Sequence, residues 1–216
     1  MTTTRLLEHR RTRLALHDLR GGDGTPLLLL HGLGDATPES VPDWAAAWPG
    51  PIHGLDFTGH GASSVPPGGG YTPEALMSDA DAALGAVGRS VVVGHGLGAY
   101  VGLLVAGARP ASVAALVLHD GSGLAGGGPE PGGMTLVDVD SDGTTPDPRA
   151  LVELSADVRP ADYAHDFATM ATSGGVQIVV HSAGRPTWVD AVASVPGVQD
   201  VDRRTPLADV LLQCPN

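Results

Sequence analysis

A chain of 216 residues, 42% apolar and 17% charged with mean hydropathy near zero, has the size and balance of one globular domain with a substantial core. Its net charge of −12, with every basic residue an arginine, argues against nucleic acid and anionic membranes as partners, since both need positive charge. The lone Cys214 excludes an intramolecular disulfide, and no apolar run reaches the roughly 18 residues of a membrane helix. Charges at Glu8, Arg10, Arg11 and Arg13 leave no leader-like apolar stretch, so the expected location is cytoplasmic.

Residues 4–10 and 12–20 read as two short strands, followed by a turn at Gly21-Gly22-Asp23-Gly24. Pro26 to His31 is a continuous apolar run, as expected of a strand buried on both faces, and it ends in His31-Gly32-Leu33-Gly34. Pro38 to Trp48 is expected to be a helix with Trp44 and Trp48 on one face. A strand over Ile52–Phe57 leads to the turn Thr58-Gly59-His60-Gly61. Thr72 and Pro73 then supply an N-cap and first helical residue for a helix running to about Val87.

The stretch 91–98, Val-Val-Val-Gly-His-Gly-Leu-Gly, carries a β-branched strand into a glycine turn and out into a helix over 97–108. This is the frame of G-x-S-x-G, a strand-to-helix turn that lifts a serine over the end of a sheet. Gly96 stands where the serine would be. Val113–His119 is the next buried strand. Residues 121–148 break the pattern as a long loop or flap, with Met134–Val139 strand-like within it. A helical region over 149–172, a strand over 176–181, a helix over 186–195, a short strand over 198–201 and a helix over 206–213 complete one domain spanning 1–216. The alternation of strand and helix predicts an α/β architecture with a mainly parallel sheet.

Three turns in this order, His31-Gly32-Leu33-Gly34, Asp56-Phe57-Thr58-Gly59-His60-Gly61-Ala62-Ser63 and Gly94-His95-Gly96-Leu97-Gly98, resemble those of the α/β-hydrolase family. The resemblance implies a three-layer α/β-hydrolase-like fold with little or no cap domain. It also implies a Ser, acid, His order that this chain does not follow. The nucleophile position is Gly96, the turn Ser182-Ala183-Gly184-Arg185 has no acid, and no histidine follows His181. By the same resemblance, the backbone N–H groups of Leu33 and Leu97 form an oxyanion hole, and glycine at 96 leaves room above the sheet.

Polar residues at the carboxyl ends of the strands are the candidate site. Asp120, His181, His119 and Asp35 are candidate acid–base groups, each weighed against a turn or core role. His95, Gly34 and Ser182 are expected at the pocket. His31 and His60 read as turn histidines, and Ser122 or Ser182 as a weak displaced nucleophile. Trp44, Trp48 and Trp188 read as core or pocket wall. No metal-ligand spacing or complete dinucleotide fingerprint occurs, so neither metal nor cofactor is expected. The expected partner is a small-molecule ligand, with a homodimer left open. Three functions fit: an acid–base lyase, cyclase or isomerase acting on a small carbonyl or polyketide-like molecule, an inactive binding or partner protein, and a hydrolase with a displaced nucleophile.

Overall fold

The computed structural model describes residues 2–130 and 139–215. Strands β1 (Thr3–His9) and β2 (Thr12–Arg20) form an antiparallel hairpin at one edge, and β2 pairs antiparallel with β4 (Ile52–Leu55). From β4 onward the pairing is parallel, through β3 (Leu27–Leu30), β5 (Ser90–His95), β6 (Val113–His119), β7 (Gln177–His181) and β8 (Gln199–Asp200). The sheet order is β1-β2-β4-β3-β5-β6-β7-β8.

The two-residue period of the strands divides the core. Leu28, Leu30, Val92, Leu116, Leu118, Ile178 and Val180 face one side of the sheet. Leu27, Leu29, Val91, Val93, Ala115, Val117 and Val179 face the other. The first side is covered by helices α1 (Pro73–Val87), α2 (Leu97–Ala108), α4 (Ala161–Ser173) and α5 (Thr187–Ala193). The second carries a thinner layer of residues around Trp48 and helix α6 (Leu207–Leu211), closed by Cys214. Cys214 is buried there, which pushes its thiol up to about 11. The result is a three-layer fold, and the short helix α3 (Pro148–Ala156) is a small addition rather than a cap domain.

Two helices begin where the sequence places them. The Thr72 hydroxyl accepts from the Ala75 amide at 3.2 Å, and α2 leaves the glycine turn at Leu97. Two other expectations are corrected. Pro38–Trp48 is not an α-helix, and only Asp43–Ala45 forms a 3-10 turn. Pro38, Pro42 and Pro49 fix their φ angles and supply no amide donor, so no helical ladder forms. Trp48 is therefore buried, its indole N–H donating to the Thr25 carbonyl, while Trp44 is half-buried. The 149–172 region is two helices, α3 and α4, interrupted over 157–160 ahead of Pro160. Most of the expected strand over Met134–Val139 lies outside the described residues.

Helix α2 is buried along nearly its whole length, so its approach to the sheet decides what fits beneath it. A Cβ on Gly98 would lie 2.4 Å from the Leu30 carbonyl oxygen and 2.6 Å from that of His31. Gly98→Ala is therefore expected to destabilise the fold by about 2–3 kcal/mol through overpacking against fixed backbone. Gly85→Ala, exposed in α1 with open space around it, is expected to stabilise by about 0.5–1 kcal/mol. Urea unfolding of the two variants checks both signs.

Candidate functional site

Strands β5, β6 and β7 end level with one another, because His95 pairs with His119 and His119 with His181 in the ladder register. The three imidazoles form a row, with ring centres 4.8 Å apart edge-to-face and 5.0 Å apart stacked. His181 Nε2 lies 2.8 Å from the Thr205 carbonyl and must donate to it. Its Nδ1 is then an acceptor for His119 Nδ1–H, 3.0 Å away. Burial, with the neighbouring charges of His95 and Arg203, pushes His119 down to about 3. His119 and His181 thus form a hydrogen-bonded pair across two strand ends, with the His95 ring packed edge-to-face on His119.

Asp120 follows β6 and is fully engaged. It accepts from the Ser182 hydroxyl, from the Ala183 and Gly184 amides at 3.0 Å each, and from Arg203 Nε at 2.9 Å. Burial pushes its carboxyl up, but these donors outweigh it and hold the group well below the usual carboxylate range. The contacts tie the turn after β7 to the end of β6.

His31 and His60 are held within turns. His31 Nδ1–H donates to the Gly32 carbonyl at 2.7 Å, and its Nε2 accepts from the Phe57 amide at 3.1 Å. Burial, reinforced by His60, pushes His31 down to about 4. Asp56 collects the Ala62 and Thr37 amides and His17 Nε2, fixing the turn that follows β4.

Gly96 adopts φ 56° and ψ −114°, a left-handed conformation that costs glycine least. A Cβ there would stand 2.1 Å from the Ser122 carbonyl oxygen and 2.4 Å from the Gly121 carbonyl carbon. The room expected above Gly96 is thus filled by the backbone of residues 121–122. The reason is that Gly121 and Gly96 pack face to face: a Cβ on Gly121 would in turn meet the Gly96 nitrogen at 2.7 Å. The Ser122 carbonyl accepts from both the Leu33 and the Leu97 amides, each at 2.9 Å. The two N–H groups expected to receive an oxyanion already have an acceptor from the chain itself.

Beside this closed centre lies a cleft of about 450 Å³, lined among others by Asp35, Thr37, Trp44, His95 and Ser122. His95 is half-buried in it, 5.5 Å from Trp44. Burial lowers its pKa, opposed by a hydrogen bond from the ring to the Asp120 carbonyl. Asp35 is exposed at the rim, and Gly34, with φ 78°, lies in the turn below Leu151 rather than in the lining. Ser182 opens instead onto a separate groove with Arg185 and Arg203. Among the described residues, no group of three or more His, Cys, Asp or Glu side chains is placed to hold a metal ion.

A further residue stands out that sequence reasoning missed. Arg159 is 0% exposed, and its guanidinium carbon lies 4.7 Å from the centre of the Tyr100 ring in the first turn of α2. One nitrogen, Nη1, donates to the Leu124 carbonyl at 2.6 Å, while Nε and Nη2 have no acceptor among the described residues. Trp188 Nε1–H donates to the same carbonyl at 2.8 Å. Asp157, the carboxylate whose charge acts on Arg159, is itself pushed up to about 6 by burial and by Glu74. No local pattern in Asp157-Val158-Arg159-Pro160 marks this arginine as interior.

The α/β hydrolase family model matches residues 27–214. No curated protein matches the chain. Among solved structures, the chain is similar to the thioesterase domain from the curacin biosynthetic pathway, at 13% identity and a TM-score of 0.70 over 99% of this chain and 100% of that one. It is also similar to N-formylmaleamic acid deformylase from Pseudomonas putida S16, at 15% identity and a TM-score of 0.66 over 93% of each chain. At such identities these likenesses are of fold. Together with the family match over most of its length, the sheet order and the glycine turn after β5 place this chain in the α/β-hydrolase family.

Proposed function

We propose that this chain is a non-hydrolytic member of its family that binds a small molecule and does not turn it over. The observation that carries the reading is the Ser122 carbonyl, which takes both Leu33 and Leu97 amides over a glycine where a nucleophile would stand. Two of its solved neighbours are named a thioesterase domain and a deformylase, and this chain shares their fold without the Ser, acid, His order in its sequence.

Acid–base chemistry without a nucleophile is less well supported. A general base needs a lone pair or carboxylate free to reach a substrate proton. Asp120 spends its oxygens on four donors, both His181 nitrogens and His119 Nδ1 are engaged with one another or with Thr205, and Asp35 sits at an exposed rim. His95 lines the cleft together with Asp35 and His31, whose two ring nitrogens are held within its turn.

A panel of p-nitrophenyl esters and thioesters is expected to show no rate above buffer, and a serine-directed phosphonate no covalent adduct by mass spectrometry. Saturable turnover or a stoichiometric adduct overturns the reading. Gly96→Ser is expected to remain inactive and to destabilise by about 3 kcal/mol, because its Cβ meets backbone and its φ is left-handed.

The same histidines give the fold a pH dependence. His9, His31, His60, His95 and His119 all have lowered pKa values, so below about pH 6.5 the unfolded chain binds more protons than the folded one at these sites. Asp79 and Asp157, each pushed up to about 6 by burial, act oppositely but are outnumbered. The melting temperature is therefore expected to fall as pH drops from 7 to 5, which thermal unfolding by circular dichroism checks.

A further inference from the structure

We propose that residues 122–124 hold the place of an organic carboxylate ligand, which displaces this segment and pairs with Arg159. The proposal rests on the binding-protein reading above and names its ligand class. It differs from that reading in locating the site beneath the segment 121–128.

Two pairs of donors near the first turn of α2 face one short segment. They are the Leu33 and Leu97 amides, the Trp188 indole N–H and the Arg159 guanidinium stacked on Tyr100. Their acceptors are carbonyls of one short segment, Ser122 for the first pair and Leu124 for the second. Two neutral carbonyl dipoles satisfy hydrogen bonds there but supply no countercharge. A fully buried guanidinium whose Nε and Nη2 have no acceptor among the described residues, and on which Asp157 acts without an ion-pair contact, is an expensive arrangement, because a charge in a low-dielectric interior needs a paired anion. The start of α2 adds its own preference for negative charge, and a carboxylate matches the planar fork of arginine.

The covering segment is suited to leave. Five of its eight residues, 121–128, are glycine, and no side chain of Ser122 or Leu124 is needed for the four donor contacts. Leu33, Leu97, Tyr100 and Trp188 surround the donors with apolar surface, which favours an aliphatic or aromatic acid over a strongly hydrated inorganic anion. With an overall charge of −12, the chain has no general attraction for anions, so binding here must come from these groups.

The test is titration of the full chain with benzoate, hexanoate, benzamide and inorganic phosphate, followed by the tryptophan indole N–H resonances. Trp188 loses its Leu124 acceptor when the segment moves, so its resonance reports the site. Benzoate or hexanoate is expected to shift that resonance saturably. Neutral benzamide should bind at least tenfold more weakly, and Arg159→Met should lose at least tenfold in affinity for the acids while Arg159→Lys retains part of it. Any one of three results overturns the proposal: no shift of the Trp188 resonance by either acid at tens of millimolar, equal binding of acid by Arg159→Met, or phosphate binding as tight as benzoate. The wild-type titration stands even if a variant fails to fold. Failure of the acids to bind here leaves the non-hydrolytic reading intact, whereas turnover of an ester alongside intact benzoate binding removes that reading alone.

Discussion

The carbonyl oxygen of Ser122, shared between the amides of Leu33 and Leu97, sets the character of this protein. One atom joins the turn after β3, the start of α2 and the segment leaving β6. Because it lies where an anion would be stabilised, the centre of the fold is satisfied from within. Glycine at 96 and glycine at 121 make that closure sterically possible, since a Cβ on either would strike the other's backbone. The glycine at 96 and the seating of the Ser122 carbonyl on the two amides are therefore sterically linked.

Polar groups around this centre have taken on structural work. Asp120 holds the β7 turn and Arg203, Asp56 fixes the turn after β4, and the stacked His119 and His181 brace neighbouring strands. Each is buried or half-buried and hydrogen-bonded inside the fold, as expected of buried polar groups. His95 and Trp44 face open space in the cleft, and Arg159 is the exception of the opposite kind, interior but short of acceptors.

Much of the architecture was legible from local pattern. The helices at 73–87 and 97–108 could be bounded because a Thr-Pro cap and a glycine turn mark their starts, and β6 because a six-residue apolar run, Val113–Leu118, is bounded on both sides. The stretch 38–48 misled because the spacing of Trp44 and Trp48 outweighed three prolines that forbid a helix ladder. Gly96 at the centre of the G-x-S-x-G frame is read directly from the sequence. The occupied amides could not be read, because they depend on the path of Gly121-Ser122-Gly123, a stretch with no periodicity to fix its course. Arg159 was hidden for a related reason: its burial is decided by the distant Tyr100 and by Gly126, not by its own neighbours in sequence.

The thin layer on the second face of the sheet has a consequence for how the molecule opens. That face is sealed by one short helix and the residues around Trp48, with Cys214 at the seam. Fewer buried apolar residues hold it than hold the four-helix side, so local opening is expected to cost less on this face than on that one. The thiol, buried and held protonated, stays silent until α6 lifts. The chain thereby carries its own reporter: the rate at which a thiol reagent modifies Cys214 in native buffer measures how often this side of the sheet comes uncovered.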